Sequence, residues 1–367
     1  MRWEGSKIRE FAKDQRLPLQ NLANKIGVSR QTVNDWINGQ VPKGNHLLLL
    51  CKLLGVSPNV FFENDVKNHI SVPAHRKRMN SKITRTTQED AIIFSREYLN
   101  IFKDLKSTEL VPVLRTEERS IAAAHKVANE LRKMSGISVD KPIDYKHAFE
   151  LLGMLGINVI FRYFPESIKS YAFYTRICEH RVIFVNSKTN IIDLIFPVLH
   201  ESVHAVRDEV SLEGEYDDEE QFCDLAASYI QFPETYVKMV YETIKVLDKP
   251  FQVNTLKTFA KANSHSLYGV VEAIKLVDPE FSLNVGGADS NLRKKFPTLG
   301  EILFGSEDVS NYVRIIKALS RNFLSILLSQ LDNISTRKLG EILGIDSILD
   351  AKEVRNELQK ELTLSSD

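Results

Sequence analysis

Apolar residues along this chain recur mostly at helical spacing, with one interval of strand-like runs. Positions three and four apart are apolar over residues 7–15, 19–26 and 117–134, which predicts amphipathic helices. Later in the chain, short runs rich in Val, Ile, Phe and Tyr are typical of strands. We therefore predict a helix at residues 145–155 and then strands at residues 157–161, 171–175 and 181–185. Residues 250–367 again show helical stripes, so the predicted fold class is mainly α with a small α+β part.

One stretch between the strands and the later helices carries the side chains of a hydrolytic metal site. Residues 200–204 form an H-E-x-x-H pattern. Residues four apart on a helix are neighbours, so His200 and His204 can bind one zinc ion, while Glu201 can accept a proton from water at the metal. The pattern predicts metal-assisted hydrolysis with Zn²⁺ as the cofactor. Pro197 predicts that this helix starts or bends close by.

The next predicted helix offers a carboxylate as the third ligand. Glu220 and Asp224 lie one helical turn apart, on a face separate from the apolar positions. Two histidines and a glutamate form one of the usual ligand sets of a hydrolytic zinc site. We assign Glu220 as the third ligand and Asp224 as the acceptor for the ring N–H of a ligating histidine. Spacing favours Glu220 over its acidic neighbours, which are Glu213, Glu215, Asp217, Asp218 and Glu219.

The first 64 residues have the order of turns and helices of a helix-turn-helix domain. Gly27 provides a tight turn after the second predicted helix, and Ser29 follows as the cap of a third. In a helix-turn-helix, side chains near the start of this helix reach base edges in the major groove. The candidate DNA-contacting residues are Ser29, Arg30, Gln31, Thr32 and Asn34.

Charge is unevenly distributed although the net charge is zero. Residues 1–64 hold nine Lys or Arg against five Asp or Glu, and residues 76–85 continue the excess, where a solvated linker is an equal alternative. Residues 208–234 hold ten acidic residues and no Lys or Arg. A basic segment favours phosphate contact and an acidic one repels it. We therefore expect double-stranded DNA to bind the first segment and to avoid the metal site.

Length and composition place the chain among globular proteins of more than one domain. Its 367 residues exceed what one core usually supports, and 43% are hydrophobic. No apolar run reaches the roughly 18 residues of a membrane span, and the first residues lack the apolar stretch of a secretory signal. Cys51, Cys178 and Cys223 lie in apolar segments, which predicts buried thiols. We expect a cytoplasmic protein with no membrane partner.

These motifs together resemble the ImmA/IrrE family of zinc metallopeptidases, in the form that carries an N-terminal Cro/repressor-like (XRE) helix-turn-helix domain. The family has an apolar stretch before H-E-x-x-H, then E-x-x-A-N and a helix that ends at proline. Residues 195–199, Glu220 and Pro233 fall at the corresponding positions. The resemblance covers most of residues 1–233.

The chain departs from the family pattern at two places. Ser202 and Val203 stand where an apolar residue and glycine are usual, and Asp224 replaces the usual asparagine. Neither departure removes a ligand. The resemblance implies a small antiparallel sheet packed on the H-E-x-x-H helix. From the motifs and the helical pattern together we predict four segments: a DNA-binding domain (1–64), a basic linker and helix (65–115), a zinc peptidase domain (116–248) and a helical regulatory or oligomerisation region (249–367).

The resemblance further implies a DNA-binding transcriptional regulator whose zinc endopeptidase cleaves a repressor-like protein partner, or itself, to relieve repression. Glu201 would be the catalytic base, and Tyr171, Tyr174 and His180 are candidate oxyanion donors by position. Two alternatives stay open: a transcription factor whose peptidase-like domain only senses zinc or a small signal, and a toxin–antitoxin component. A homodimer is expected from the two-fold symmetry of operators.

Overall fold

A computed structural model describes most of the chain as two compact units, Met1–His69 and Ile70–Asp367. The described residues are 2–3, 5–15, 17–56, 61–63, 70–71, 85–103, 105–106, 118–207, 216–306 and 308–364. Residues 76–84 of the predicted basic linker and residues 208–215 of the acidic segment lie outside them. The predicted segment limits within the second unit, at residues 115 and 248, stay predictions.

Short helices around an apolar core make up the described part of the first unit. Its two edge strands pair antiparallel, with Trp3 opposite Phe62. Its elements in chain order are β1 (Arg2–Trp3), α1 (Lys7–Asp14), α2 (Leu19–Ile26), α3 (Arg30–Ile37), α4 (Gly44–Leu54) and β2 (Phe62–Glu63).

The core of the first unit fixes the direction of α3. Val33 and Trp36 of this helix are buried among apolar residues of the other helices. The Trp3 indole N–H donates to the Trp36 carbonyl at 2.6 Å, which holds the end of α3 against β1. Gly27 ends α2 with φ of +81°, a left-handed conformation that glycine adopts without strain. The predicted turn at Gly27 is confirmed.

A small mixed sheet with helices on it begins the second unit. The strand order is β3-β5-β6-β4, in which β5 and β6 form an antiparallel hairpin and β4 runs parallel to β6. The elements are β3 (Ile70–Ser71), α5 (Arg85–Arg96), α6 (Leu99–Phe102), α7 (Ile121–Ser135), α8 (Tyr145–Met154), β4 (Asn158–Arg162), β5 (Ala172–Ile177) and β6 (His180–Asn186). The prediction of a mainly α fold with a small α+β part is confirmed.

The expectation of a purely antiparallel sheet is wrong. Asn158 of β4 lies opposite Val182 of β6, and the two strands run in the same direction. The hairpin turn at Cys178 and Glu179, with φ of +48° and +66°, sends β6 back beside β5. Because β4 then pairs with the far edge of β6, its direction depends on the path of the chain between β4 and β5. Alternation of apolar residues carries no information about that path.

Two long helices follow the sheet and carry the candidate metal ligands. They are α9 (Ile191–Arg207) and α10 (Tyr216–Gln231). Helix α9 packs on β5, β6, α8 and α10, and α10 packs also on α7. Pro197 lies inside α9, so of the two predicted alternatives the helix does not start at this proline, and a bend there stays a prediction. The helical residues before Pro197 are stabilised because Ile191 and Ile192 are buried in an apolar cluster with the helices that come after α10.

Helices continue to the end of the described residues. The first four, α11 (Glu234–Ile244), α12 (Lys249–Asn263), α13 (Leu267–Lys275) and α14 (Gly286–Arg293), share one apolar cluster. The others are α15 (Leu299–Phe304), α16 (Val309–Leu319), α17 (Arg321–Ser329), α18 (Thr336–Leu343) and α19 (Ile348–Leu364). In the described part of the chain, no helix combines the length and the apolar character that a membrane span requires.

His265 makes the stability of the second unit dependent on pH. Its fully buried ring has Nε2 2.9 Å from the Tyr236 hydroxyl and Nδ1 3.1 Å from the Ser266 carbonyl. Burial lowers the pKa of His265 to about 4, so the folded state favours the neutral ring. The unfolded chain takes up the proton at a higher pH than the folded protein does. The stability that the neutral ring contributes is therefore fully present above the unfolded pKa and is lost as pH falls from about 6.5 towards about 4.

We expect the change from about pH 7.5 to about pH 5 to cost about 2 kcal/mol through His265 alone. The measurement is chemical unfolding at both pH values, for the parent protein and for His265→Gln, which cannot take up the proton. The parent should lose more stability than the variant over this range. Equal losses would contradict the assignment.

Candidate metal centre and nucleic-acid interface

His200 and His204 lie one turn apart on α9 and direct their rings to the same point. The two Nε2 atoms are 3.1 Å apart, and the side chains are only 2% and 6% exposed. Burial of two imidazoles edge to edge would leave two ring nitrogens competing for one proton. A cation between them removes this competition because both nitrogens can then act as electron-pair donors.

Glu220 of α10 brings a carboxylate to the same point. Its Oε1 lies 2.9 Å from His204 Nε2, and its Oε2 lies 3.4 Å from His200 Nε2. Ligands at about 2.0–2.1 Å in a tetrahedral arrangement are about 3.3–3.4 Å apart, so the separation from His200 matches a small divalent cation, whereas the one from His204 is shorter. The structure brings together the three residues that the sequence assigned as ligands.

The hydrogen bonding of Glu220 also fits a shared cation. The buried Oε1 has no hydrogen-bond partner although the ring of His204 is close, so oxygen and nitrogen approach without a well-directed proton between them. Burial raises the pKa of Glu220, but the two imidazoles outweigh burial and hold that pKa far below its usual range. The carboxylate is therefore ionised. It is suited to bind a cation.

Asp224, one turn further along α10, lies behind His200. Its Oδ1 is 2.9 Å from His200 Nδ1, the ring nitrogen that faces away from Glu220. Burial lowers the pKa of His200, but Asp224, Glu220 and Glu201 together raise it to about 10. In the absence of metal both nitrogens of the His200 ring therefore carry a proton. A cation would have to displace the proton on Nε2 in order to bind there.

The other acidic candidates for the third ligand are placed differently. Glu213 and Glu215 lie outside the described residues, as does the side chain of Asp217, and Asp218 is exposed. Glu219 is buried and binds the guanidinium groups of Arg207 and Arg119.

Glu201 lies beside the imidazoles on the sheet side of α9. Its Oε2 accepts the backbone N–H of Tyr174 in β5 at 2.8 Å, and the side chain is buried. Burial raises the pKa of Glu201, although the two imidazoles act in the opposite direction. A carboxylate with a raised pKa is a stronger base than one in water.

Two features of this centre were not predicted from the sequence. Arg207 of α9 forms a two-pronged ion pair with Glu219 of α10, with Nη2 2.9 Å from Oε2, and Arg119 Nε reaches the same oxygen at 2.8 Å. The Cys223 thiol lies 3.5 Å from His204 Nδ1. Arg207 and Glu219 could have been suspected, because a basic residue in an otherwise apolar helix face needs a buried acidic partner.

The candidate oxyanion donors are spread over different surroundings. Tyr174 is buried, and its backbone N–H donates to the Glu201 carboxylate. His180 Nε2 lies 3.1 Å from the Leu105 carbonyl, and its ring packs on Phe102. Tyr171 is half-buried. The assignment of an oxyanion donor among these three residues stays a prediction.

The start of α3 presents the candidate DNA-contacting residues. Ser29 Oγ accepts the Thr32 N–H at 3.0 Å and so caps the helix, as predicted. Arg30 and Gln31 are exposed, and the Gln31 amide donates to Asp35 one turn on at 2.9 Å. Thr32 and Asn34 are half-buried. An exposed arginine at the start of a helix that follows a tight turn is suited to contact bases or phosphates.

The comparison with protein families supports this geometry for the first unit. Residues 8–61 match the family model described as helix-turn-helix. The first unit therefore contains an XRE-type helix-turn-helix region, which supports a DNA-binding transcriptional regulator. No curated protein matches the chain. The matched residues end far before His200, so the resemblance to a metallopeptidase family stays a prediction.

Replacement of Arg30 by alanine is expected to weaken binding to a specific DNA duplex by about 1–3 kcal/mol, which is roughly 5- to 150-fold. The duplex would be selected from a random-sequence library with the full-length protein, and affinity would be measured by fluorescence anisotropy. Lys52→Ala removes the same charge from the exposed surface of α4 and is the matched control. Equal effects of the two variants would contradict a base-contacting role for Arg30.

Proposed function

We propose that the protein is a DNA-binding transcriptional regulator with a zinc-dependent endopeptidase, which cleaves a repressor-like protein partner or the chain itself to relieve repression. The observation that carries this proposal is the convergence of His200, His204 and Glu220 on one point beside the buried carboxylate of Glu201. Two imidazoles and a carboxylate are the protein ligands of a hydrolytic zinc site that keeps one position open.

The residues of the centre divide the chemistry among them. A bound zinc ion would supply Lewis-acid chemistry, which polarises a carbonyl and makes water more acidic. Glu201 accepts the proton of the attacking water on a carboxylate oxygen as the water oxygen bonds to the peptide carbon. Glu201 then gives that proton to the amide nitrogen as the C–N bond breaks, which releases a carboxylic acid and an amine. The Tyr174 N–H orients the Glu201 carboxylate for both transfers.

The charge of the surrounding chain favours a peptide over a nucleic acid as the substrate. Residues 208–234 contain ten acidic residues and no Lys or Arg. A phosphodiester backbone would be repelled from such a segment, whereas a neutral or basic peptide would not. DNA contact is accordingly assigned to the first unit and peptide hydrolysis to the second.

A second candidate function is a regulator whose peptidase-like centre only senses zinc. It is favoured by the deep burial of the candidate base, because the Glu201 residue is only 5% exposed. A zinc sensor needs only to bind the metal. A peptidase must bind the metal and also admit its peptide substrate to Glu201.

Three variants separate these functions. We would incubate the zinc-loaded full-length protein with the products of genes adjacent to its own, and follow cleavage by mass spectrometry and zinc content by elemental analysis. Glu201→Gln should keep zinc and lose cleavage, whereas Glu220→Gln should lose both, because Glu220 is assigned as a zinc ligand and Glu201 is not. Asp218→Asn, an exposed neighbour on the same helix, should keep both.

The outcomes are distinct. Zinc retention without cleavage of any tested product by the parent protein would favour the sensor. Undiminished cleavage by Glu201→Gln would contradict its role as the base. Undiminished zinc content in Glu220→Gln would remove the third ligand from the account.

A further inference from the structure

We propose that Cys223 is a positioning residue for His204: its thiol accepts the His204 Nδ1–H and donates its own proton to Glu219. This inference rests on the proposed zinc centre and extends it. The observation that carries it is the contact of Cys223 Sγ with both groups, at 3.5 Å from His204 Nδ1 and 3.7 Å from Glu219 Oε1.

The two ligating rings have different partners on their outer nitrogens. His200 Nδ1 faces the carboxylate of Asp224, whereas His204 Nδ1 faces the sulfur atom of Cys223. A histidine that binds zinc through one ring nitrogen carries its proton on the other nitrogen. A hydrogen-bond acceptor at that second nitrogen fixes this tautomer. For His204 the acceptor at hydrogen-bonding distance is Cys223, and the residue is completely buried.

The thiol is itself held in one orientation by Glu219. The two carboxylate oxygens of Glu219 are bound by the guanidinium groups of Arg207 and Arg119, so this side chain cannot turn towards His204. Its Oε1 still accepts from sulfur, which directs the S–H bond to Glu219 and a sulfur lone pair to the ring. The result is a chain of contacts from the metal centre through His204, Cys223 and Glu219 to the two arginines.

The same three groups could be taken for a second metal site. His204, Glu219 and Cys223 offer ligand atoms close to one another, and all three are buried. However, both carboxylate oxygens of Glu219 are already bound by the guanidinium groups of Arg207 and Arg119, which leaves this side chain engaged with the two arginines. The geometry therefore assigns Cys223 to hydrogen bonding.

The experiment compares Cys223→Ala, which removes both hydrogen bonds, with Cys223→Ser, whose hydroxyl can make them again. Zinc affinity of the full-length protein would be measured by competition with a chromophoric chelator, and the Tm of the metal-free protein would be measured in parallel. Cys51→Ala removes a buried thiol from the first unit and is the matched control. We expect Cys223→Ala to weaken zinc binding about 10- to 100-fold, with Cys223→Ser and Cys51→Ala within about threefold of the parent.

Affinity and stability together decide the role. A purely structural cysteine would lower the Tm of the metal-free protein in Cys223→Ala without the loss of zinc affinity, which would overturn the proposal. Equal weakening by Cys223→Ser and Cys223→Ala would overturn it as well, because the hydroxyl would then restore nothing. If the parent protein binds zinc and cleaves its substrate while Cys223→Ala binds zinc equally well, only this inference fails. If the parent binds no zinc, the proposed function fails with it.

Discussion

The buried ion pair between Arg207 and Glu219 is the constraint on which the candidate centre depends. It joins the end of α9 to the start of α10, and both side chains are almost fully shielded from water. Loss of one partner from such a pair leaves an uncompensated buried charge, which lowers the free energy of unfolding by about 3–5 kcal/mol. Because Glu219 is fixed, the rotation of α10 is fixed, and the next residue along the helix, Glu220, lies opposite the imidazoles of α9.

The same ion pair organises the surroundings of the centre. Arg119 brings the start of α7 to the Glu219 carboxylate, and the Arg207 guanidinium also packs over the ring of Phe222 at 4.3 Å. Two arginines around one glutamate balance part of the negative charge that the acidic start of α10 would otherwise concentrate there. The ionised Glu220 can then lie close to Glu201 in a buried site.

Local spacing predicted the parts of the centre that lie within one helix. His200, Glu201 and His204 follow from an interval of four residues, and Glu220 and Asp224 from an interval of four on the next helix. The contact of Cys223 with His204 could not be predicted, because it depends on how two helices are rotated about their axes when they pack. The parallel pairing of β4 with β6 escaped prediction because the strand pattern does not encode the route of the chain. The early start of α9 is explained by burial of Ile191 and Ile192 against later helices.

The central claim is that two imidazoles and one carboxylate bind a zinc ion, and X-ray absorption at the zinc edge tests it most directly. For the zinc-loaded full-length protein, the account predicts only nitrogen and oxygen neighbours at about 2.0–2.1 Å, with the outer-shell scattering of two imidazoles. A sulfur neighbour at about 2.3 Å would mean that Cys223 binds the metal. That result, or a protein that takes up no zinc, would contradict the account.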